Sequence, residues 1–579
     1  MAPHPIVELT SEASWAMVED KFSPFAKETL AKLIKFVEDE VFPATRVAHA
    51  QLPADERRWK TVIPIVEELK VKAKKLGLWN LFLSKAHYPE YGVPLTNLEY
   101  AVMAEVLGRG GQVASEAVNC SAPDTGNMEV LARYGSPEQQ KKWLVEDKFS
   151  PFAKETLAKL IKFVEDEVFP ATRVAHAQLP ADERRWKTVI PIVEELKVKA
   201  KKLGLWNLFL SKAHYPEYGV PLTNLEYAVM AEVLGRGGQV ASEAVNCSAP
   251  DTGNMEVLAR YGSPEQQKKW LVPLLNGEIR SSFSMTEKHV ASSDATNIRT
   301  SIKREGNEIV INGHKWWISG AGDPRCALHL VLGKSDPNNE SAYNQQSIVI
   351  VPSNTPGIKI VRPMTVFGYD DAPEGHCEVI YDNVRVPLDN LVLGWGRGFE
   401  IIQGRLGPGR IHHCMRSIGV AQGALDTMLR RVTDPARKPF GKYLHEHGTV
   451  VADIAKSRAD IEGARLLVLS AALMIDKYKA KGALKEIGIA KFVIPSMALE
   501  VVDRAIQVHG GEGVSQDQTL AKAWSGLRTL RLADGPDAVH IQQVGLRELK
   551  RAPALVTKEQ ERKKKEKILM EKAGLKNHL

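Results

Sequence analysis

Three short segments of this 579-residue chain carry side chains whose types and spacing suit a flat ligand and an acid–base step. Phe283-Ser-Met285-Thr286-Glu287, followed by Ala291-Ser292-Ser293-Asp294, brings small residues, hydroxyls and backbone amides together in one loop. Lys315-Trp316-Trp317-Ile318-Ser319 offers an indole to cover a planar ring and a hydroxyl to donate to its edge. Arg531-Leu-Ala-Asp534-Gly535-Pro536 sets a carboxylate at a helix end beside a turn, where it can accept a proton. Each segment alone also reads as a loop, a packed strand or a helix stop. Their joint presence in one chain shifts the weight toward a site.

Other chemistry is excluded or demoted. Gly394-Trp-Gly-Arg-Gly398 resembles a dinucleotide fingerprint, but no strand–helix–strand unit surrounds it. His412-His413-Cys414 and His445-Glu446-His447 place ligand types on adjacent residues, whereas two ligands on one helix face need a spacing of three or four. These histidines therefore read as structural, and no metal is expected. The five cysteines form no CxxC pair and cannot make a disulfide framework.

The elements that must position these segments change along the chain. Helical periodicity covers Phe25 to Val41, Val62 to Leu76 and Leu98 to Leu107, and Ser136-Pro137-Glu138-Gln139 reads as a capped helix start. From Phe283 to about Trp395 short strands follow one another, including 300–304, 308–311 and 314–318. Glu305-Gly306-Asn307 and Asn312-Gly313 read as the turns between them. From Phe399 the helical pattern returns over Arg410 to Arg430, Thr449 to Lys477, Leu484 to His509 and Leu520 to Arg531, enough for a four-helix bundle. The expected class is α+β.

One feature resets the domain count. Val18–Val145 is repeated residue for residue as Val145–Val272, an offset of 127 with no substitution. Solenoid repeats are shorter than this. The expected organisation is an N-terminal segment (1–17), a surplus helical copy (18–144), a working helical domain (145–275), a β domain (276–396), a helical bundle (397–552) and a Lys-rich tail (553–579). The second copy runs directly into Pro273, so it is the one expected to work. The first is expected to carry an unburied apolar face.

Composition is ordinary for a folded protein, with 44% hydrophobic and 25% charged residues. No apolar run is long enough to span a bilayer. The net charge of +7 is mild, and its densest stretch is Arg562-Lys563-Lys564-Lys565. Without interleaved aromatics this stretch reads as a solvated helical extension rather than a nucleic-acid platform. The N-terminus shows neither a transit pattern nor a secretory signal. Asn577-His578-Leu579 loosely resembles a peroxisomal signal, which leaves peroxisomal, cytoplasmic and mitochondrial placements open.

Taken with Gly407-Pro-Gly-Arg410-Ile-His-His-Cys-Met-Arg416, Arg437-Lys-Pro-Phe-Gly441 and Gln507-Val-His-Gly-Gly-Glu-Gly513, the three segments resemble acyl-CoA dehydrogenase family signatures, in order, over about residues 147–550. The closest resemblance is to the subgroup often fused to a kinase-like domain in animals. It implies FAD-dependent α,β-dehydrogenation of an acyl-CoA thioester: a base takes the α-proton while the β-hydrogen leaves as hydride to flavin N5.

Asp534 matches the family's base position, where most of that branch has Glu; nitroalkane oxidase, a relative, also has Asp. A base for so weak an acid is expected to have a raised pKa in an apolar pocket. Arg410 resembles a residue beside the base and the acyl-CoA. Phe283, Met285 and Thr286 would line the isoalloxazine, Trp317 would cover it and Ser319 would sit near N5. Ser293 would contact the CoA arm, with Ser292 as fallback. Gly407 belongs to the substrate side. Gly535 and Pro536 would follow the base toward substrate and flavin.

Arg437, Gln507 and Gly511 would hold the FAD pyrophosphate and adenosine from a neighbouring subunit, implying a homodimer or homotetramer. Lys288 departs from the family's usual Pro. The electron acceptor is expected to be electron-transfer flavoprotein. An oxidase using oxygen, on acyl-CoA or a nitroalkane, and an inactive flavin-binding scaffold are the alternatives.

Overall fold

The computed structural model describes residues 12–53, 55, 57, 61–85, 92–121 and 149–575, excluding the side chains of 12–14 and 406–408. The Ser136 helix start of the first copy and both extreme termini lie outside these residues. The chain forms two compact units: 1–147 with 546–579, and 148–545.

In the first unit, α1 (Glu12–Val18) precedes α2 (Pro24–Phe36), which passes through a π-turn into α3 (Phe42–Gln51). Then come α4 (Pro64–Lys75) and α5 (Asn97–Ala117). Ser23 caps α2, and Thr96 with Glu99 forms a reciprocal capping box on α5. The core holds Leu30, Leu33, Phe36, Val47, Leu69, Met103 and Leu107, each nearly inaccessible.

The second unit begins with the same sequence. Its elements are α6 (Pro151–Phe163), α7 (Phe169–Gln178), α8 (Pro191–Lys202), α9 (Asn224–Arg236), α10 (Gly238–Ala244) and α11 (Asp251–Tyr261). Ser263 starts the next helical turn with a capping box to Gln266, as the Ser-Pro-Glu-Gln pattern predicts for this copy.

Seven strands follow: β1 (Arg280–Ser284), β2 (Ser301–Glu305), β3 (Glu308–Ser319), β4 (Cys326–Lys334), β5 (Gln346–Pro352), β6 (Ile358–Met364) and β7 (His376–Pro387). Their order is β1-β4-β2-β3-β7-β6, with β5 on β4. Asn312-Gly313 is not a turn, contrary to expectation. β3 runs straight through it with a register shift against β7. Gly313 is there for closeness: a Cβ would stand 2.2 Å from Thr300 Oγ1. Between β2 and β3 it is Gly306, with φ of +60°, that turns the chain.

The bundle comprises α12 (Gly398–Val432), α13 (Gly448–Gly482), α14 (Leu484–His509) and α15 (Leu520–Leu530), followed by α16 (Asp537–Leu549). The helix expected from Arg410 begins at Gly398 and continues through Gly407-Pro408-Gly409, because packing against α9 and α11 outweighs local propensity. Helix α9 is buried almost all round. Two glycines allow this approach: a Cβ on Gly235 would meet the Arg416 carbonyl at 2.2 Å, and one on Gly419 the Glu232 carbonyl at 2.1 Å. The Asp476 carboxylate accepts from the first backbone amides of α9, Asn224 at 2.8 Å and Leu225 at 2.9 Å.

The tail is not a solvated extension. It forms α17 (Ala552–Lys572) in the first unit and packs on α3. Arg562 lies 4.2 Å over the Phe42 ring, and Met570 is 1% exposed. A charged stripe with long apolar stems hides such a face from composition. The first copy's α3 face is therefore covered, contrary to expectation. Its α5 face stays open: Ala101, Glu105 and Gly108 are exposed.

Candidate active site

Asp534 follows α15 in a turn that holds it in the left-handed region, φ +55°, with Gly535 next at +100°. A Cβ on Gly535 would meet His540 Nε2 at 2.8 Å, so glycine here lets the turn close on α16. The turn is pinned from both sides. Arg410 Nε donates to the Asp534 carbonyl at 2.9 Å, and His540 Nε2 lies 3.3 Å from the same oxygen. The Asp534 side chain is 20% exposed, with His413 Nε2 3.4 Å from Oδ2.

Arg416 donates to His413 Nδ1 at 3.1 Å. A guanidinium only donates, so Nδ1 accepts and Nε2 carries the proton that points to Asp534. Burial pushes the His413 imidazole down to about 4, so it is neutral at pH 7.

The electrostatics correct the expectation of an apolar pocket and a raised pKa. Burial does push the Asp534 carboxyl up, but His413, Arg405, Arg410 and Lys491 outweigh it and hold it below the ordinary carboxylate value. Lys491 is itself almost inaccessible and donates to the Leu530 carbonyl at the end of α15. Cys414 is buried there too, with its thiol pushed up to about 12 by burial.

The β domain supplies the other wall. Phe283, at the end of β1, has the Arg405 guanidinium 4.2 Å over its ring, which ties this strand to the Asp534 neighbourhood. The Met285 carbonyl accepts from Lys315 Nζ at 2.8 Å. Thr286 and Trp316 exchange bonds: Oγ1 donates to the Trp316 carbonyl at 2.6 Å, and the Trp316 amide returns one at 3.1 Å. The register shift between Lys315 and Ile318 bulges β3 and throws Trp317 to φ +57°. A bulky residue in the left-handed region costs about 1–2 kcal/mol. In return its indole is 37% exposed, edge-on to His376 with centroids 5.5 Å apart. Ser319 Oγ lies 2.8 Å from His376 Nδ1.

The remaining expected positions divide clearly. Ser292 is occupied, accepting from the Glu287 amide at 2.9 Å, while Ser293 is exposed. Lys288, the departure from Pro, pairs with Glu378 at 2.9 Å; that bond is the main reason the Glu378 carboxyl is held down to about 2. Pro536 is half-buried and directly precedes α16, its carbonyl accepting from the Val539 amide at 3.0 Å. The Gly407 backbone is helical, but its surroundings lie outside the described residues.

Arg437, Gln507 and Gly511 are exposed around the C-terminal end of α14. There Arg437 bonds Glu512 at 3.3 Å, and a Cβ on Gly511 would meet nothing.

Sequence reasoning missed Arg405, His413, Lys491, His540 and His376. The sequence reads His413 together with His412 as structural, yet neighbours on a helix face differently. His412 packs against Tyr227, ring centroids 4.7 Å apart, while His413 faces the carboxylate. Arg405 lies five residues before Arg410 on the same helix, a spacing that carries no periodic signal. Among the described residues no group of His, Cys, Asp and Glu is arranged to hold a metal, and no helix is long and apolar enough to cross a membrane.

Comparison with known proteins finds family models over most of the chain. The acyl-CoA dehydrogenase N-terminal domain matches twice, at 23–146 and 153–278, the middle domain at 282–384 and the C-terminal domain at 396–549. Family member 10 from Mus musculus is 54% identical over 404 residues, which are 69% of this chain and 37% of that protein. FadE2 from Mycobacterium tuberculosis is 51% identical over 397 residues, covering 68% of this chain and 94% of its own. A solved structure from Mycobacterium abscessus is 48% identical, with a TM-score of 0.67 over 70% of this chain and 99% of that one. The chain spans 56% of its Arabidopsis thaliana relative IBR3 and 50% of family member 11 from Gallus gallus. This chain belongs to the acyl-CoA dehydrogenase family and is similar to its animal members 10 and 11.

Proposed function

We propose that the second unit is a flavin-dependent acyl-CoA dehydrogenase with Asp534 as its base. The observation that carries this reading is the Asp534 turn. A carboxylate is fixed by its own backbone carbonyl to Arg410, is approached by the His413 N–H, and shares the Arg405 neighbourhood with Phe283 of β1.

FAD fits the residues present. The bulged Trp317 keeps its indole partly exposed two residues from Ser319, while Thr286 and Met285 brace the strand. Solved relatives support this, among them PigA with FAD and a glutaryl-CoA dehydrogenase with FADH2. Phe283, Met285, Thr286, Trp317, Ser319 and Pro536 would hold the ring system. Arg437, Gln507 and Gly511 would hold the pyrophosphate and adenosine of a neighbouring subunit's cofactor, in a homodimer or homotetramer. Bound FAD supplies the two-electron acceptor that takes the β-hydrogen with its bonding pair.

The chain's own residues manage the α-proton. Asp534 is ionised at neutral pH because cations surround it, so it is ready to accept. Closing an acyl chain over it excludes water and raises its basicity when it is needed. Arg410 fixes the turn, and His413 fixes the carboxylate rotamer. Ser293, exposed at the loop, would take the CoA arm, with Gly407 and Gly535 bordering the acyl group. The α-proton passes to Asp534 and a 2-enoyl-CoA remains.

The working N-terminal domain is the second copy. Removing 18–144 should leave FAD content and acyl-CoA-dependent flavin bleaching intact, and loss of both in a folded product contradicts this. An anaerobic screen over acyl-CoAs of graded length reads the substrate, with electron-transfer flavoprotein or oxygen then added as acceptor. Peroxide release would assign the oxidase alternative, and an unbleached flavin across the series would reject the proposal.

A further inference from the structure

The tail helix α17 occupies one of two faces that have the same sequence. On copy one, Arg562 pairs with Glu38 and covers Phe42, Lys565 Nζ bonds Asp39 at 2.9 Å and Arg46 bonds Glu566 at 2.9 Å. The shielded tail positions, Lys558, Arg562, Glu566, Leu569 and Met570, fall at helical spacing and form a single stripe. Beneath that stripe Pro43 and Val47 are buried, Val47 at 0% exposure.

Copy two repeats this face on α7, where Arg236 of α9 reaches over the Phe169 ring at 5.9 Å and the rest of the face is exposed among the described residues. Phe169 is 37% and Val174 44% exposed, and Pro170 and Ala177 are exposed beside them. Arg173, the counterpart of Arg46, makes no ion pair among the described residues. Glu165 and Asp166, the counterparts of the acidic pair that receives Arg562 and Lys565, bond Arg236 at 3.1 Å and Lys162 at 2.6 Å. Both are surface pairs, worth little and readily exchanged.

We propose that the α7 face of copy two is a docking site for the α17 helix of a second copy of this chain. Charge and shape complementarity are already displayed on the identical α3 face. Because the two faces have the same sequence, a tail that leaves the α3 seat of one molecule meets the same residues on the α7 seat of another. Two seats and one tail per chain make the association depend on concentration.

The test uses two full-length chains with different tags, one carrying Arg173→Cys and the other Glu566→Cys, mixed and treated with a short bis-maleimide. A conjugate bearing both tags is expected. Its yield should rise with concentration and fall roughly tenfold when Val174→Asp is added to the first chain. Single-variant mixtures subtract any product of the native half-buried Cys120 and Cys326. A chain carrying Arg46→Cys with Glu566→Cys links internally and shows that the chemistry works. Failure to form the two-tag conjugate while that control links overturns the proposal, as does a yield indifferent to Val174→Asp. A link formed within one dilute chain carrying Arg173→Cys and Glu566→Cys overturns the assignment to a second copy.

Discussion

The two copies are the same amino-acid string folded in two environments, and they differ where neighbours differ. Helix α9 buries Tyr227, Ala228, Ala231 and Gly235, whereas its twin α5 leaves Ala101 and Gly108 exposed and Tyr100 half-buried. The opposite holds one helix away. Ile34 and Val47 are buried in copy one, while Ile161 is 42% and Val174 44% exposed in copy two. Local structure survives the change: Ser23 and Ser150 cap alike, and Thr96–Glu99 and Thr223–Glu226 form the same boxes. Capping and periodicity are thus written locally, while burial depends on what the rest of the chain brings.

Matched substitutions can break this comparison. The largest contrast is expected at Gly235 and Gly108. Gly235→Ala drives a methyl against the Arg416 carbonyl and should cost about 3 kcal/mol in the unfolding of the second unit. Gly108→Ala meets nothing and should stabilise by about 0.5–1 kcal/mol through helix propensity. Equal effects in thermal melts would refute the contrast.

Next comes Glu232, whose carboxylate bonds Arg465 at 2.7 Å with a side chain only 12% exposed, against the exposed Glu105. Glu232→Ala should cost about 2 kcal/mol once partial exposure is discounted, and Glu105→Ala within about 0.5. The third contrast runs in reverse: Val47→Ala should cost about 1–2 kcal/mol and Val174→Ala less than about 0.5, read by denaturant unfolding of each unit.

The smallest expected effect is a flat line. Asp534 has a folded pKa below its unfolded value of about 3.9. Its contribution to stability is therefore present above that value and is lost as pH falls through the lowered one. The same sign applies to catalysis, so kcat/KM should show no acidic limb from this group between pH 5 and 7. A limb centred near neutrality would restore the raised-pKa base expected from the sequence.

Much of this was legible in the residues. The bundle helices announce themselves by period, and Leu484–His509 ends where the pattern places it. The Asp534 and Trp317 positions stand out by their settings, and Arg410 enters through the family resemblance. The Asn312-Gly313 bulge did not, because the reason for that glycine is Thr300, thirteen residues away and across a strand pair. The cations around Asp534 were invisible for the same reason: Lys491 and Arg405 come from α14 and α12, and only packing unites them. The tail helix deceived because its buried face is built from arginine, glutamate and lysine stems.

The most direct measurement of the central claim is anaerobic rapid mixing of the FAD-loaded protein with a bleaching acyl-CoA, wild type beside Asp534→Asn. Flavin reduction should fall by about 10³-fold or more in the variant, with FAD content and thermal midpoint retained. Reduction at the wild-type rate in a folded, flavin-loaded Asp534→Asn protein would remove this carboxylate from the chemistry.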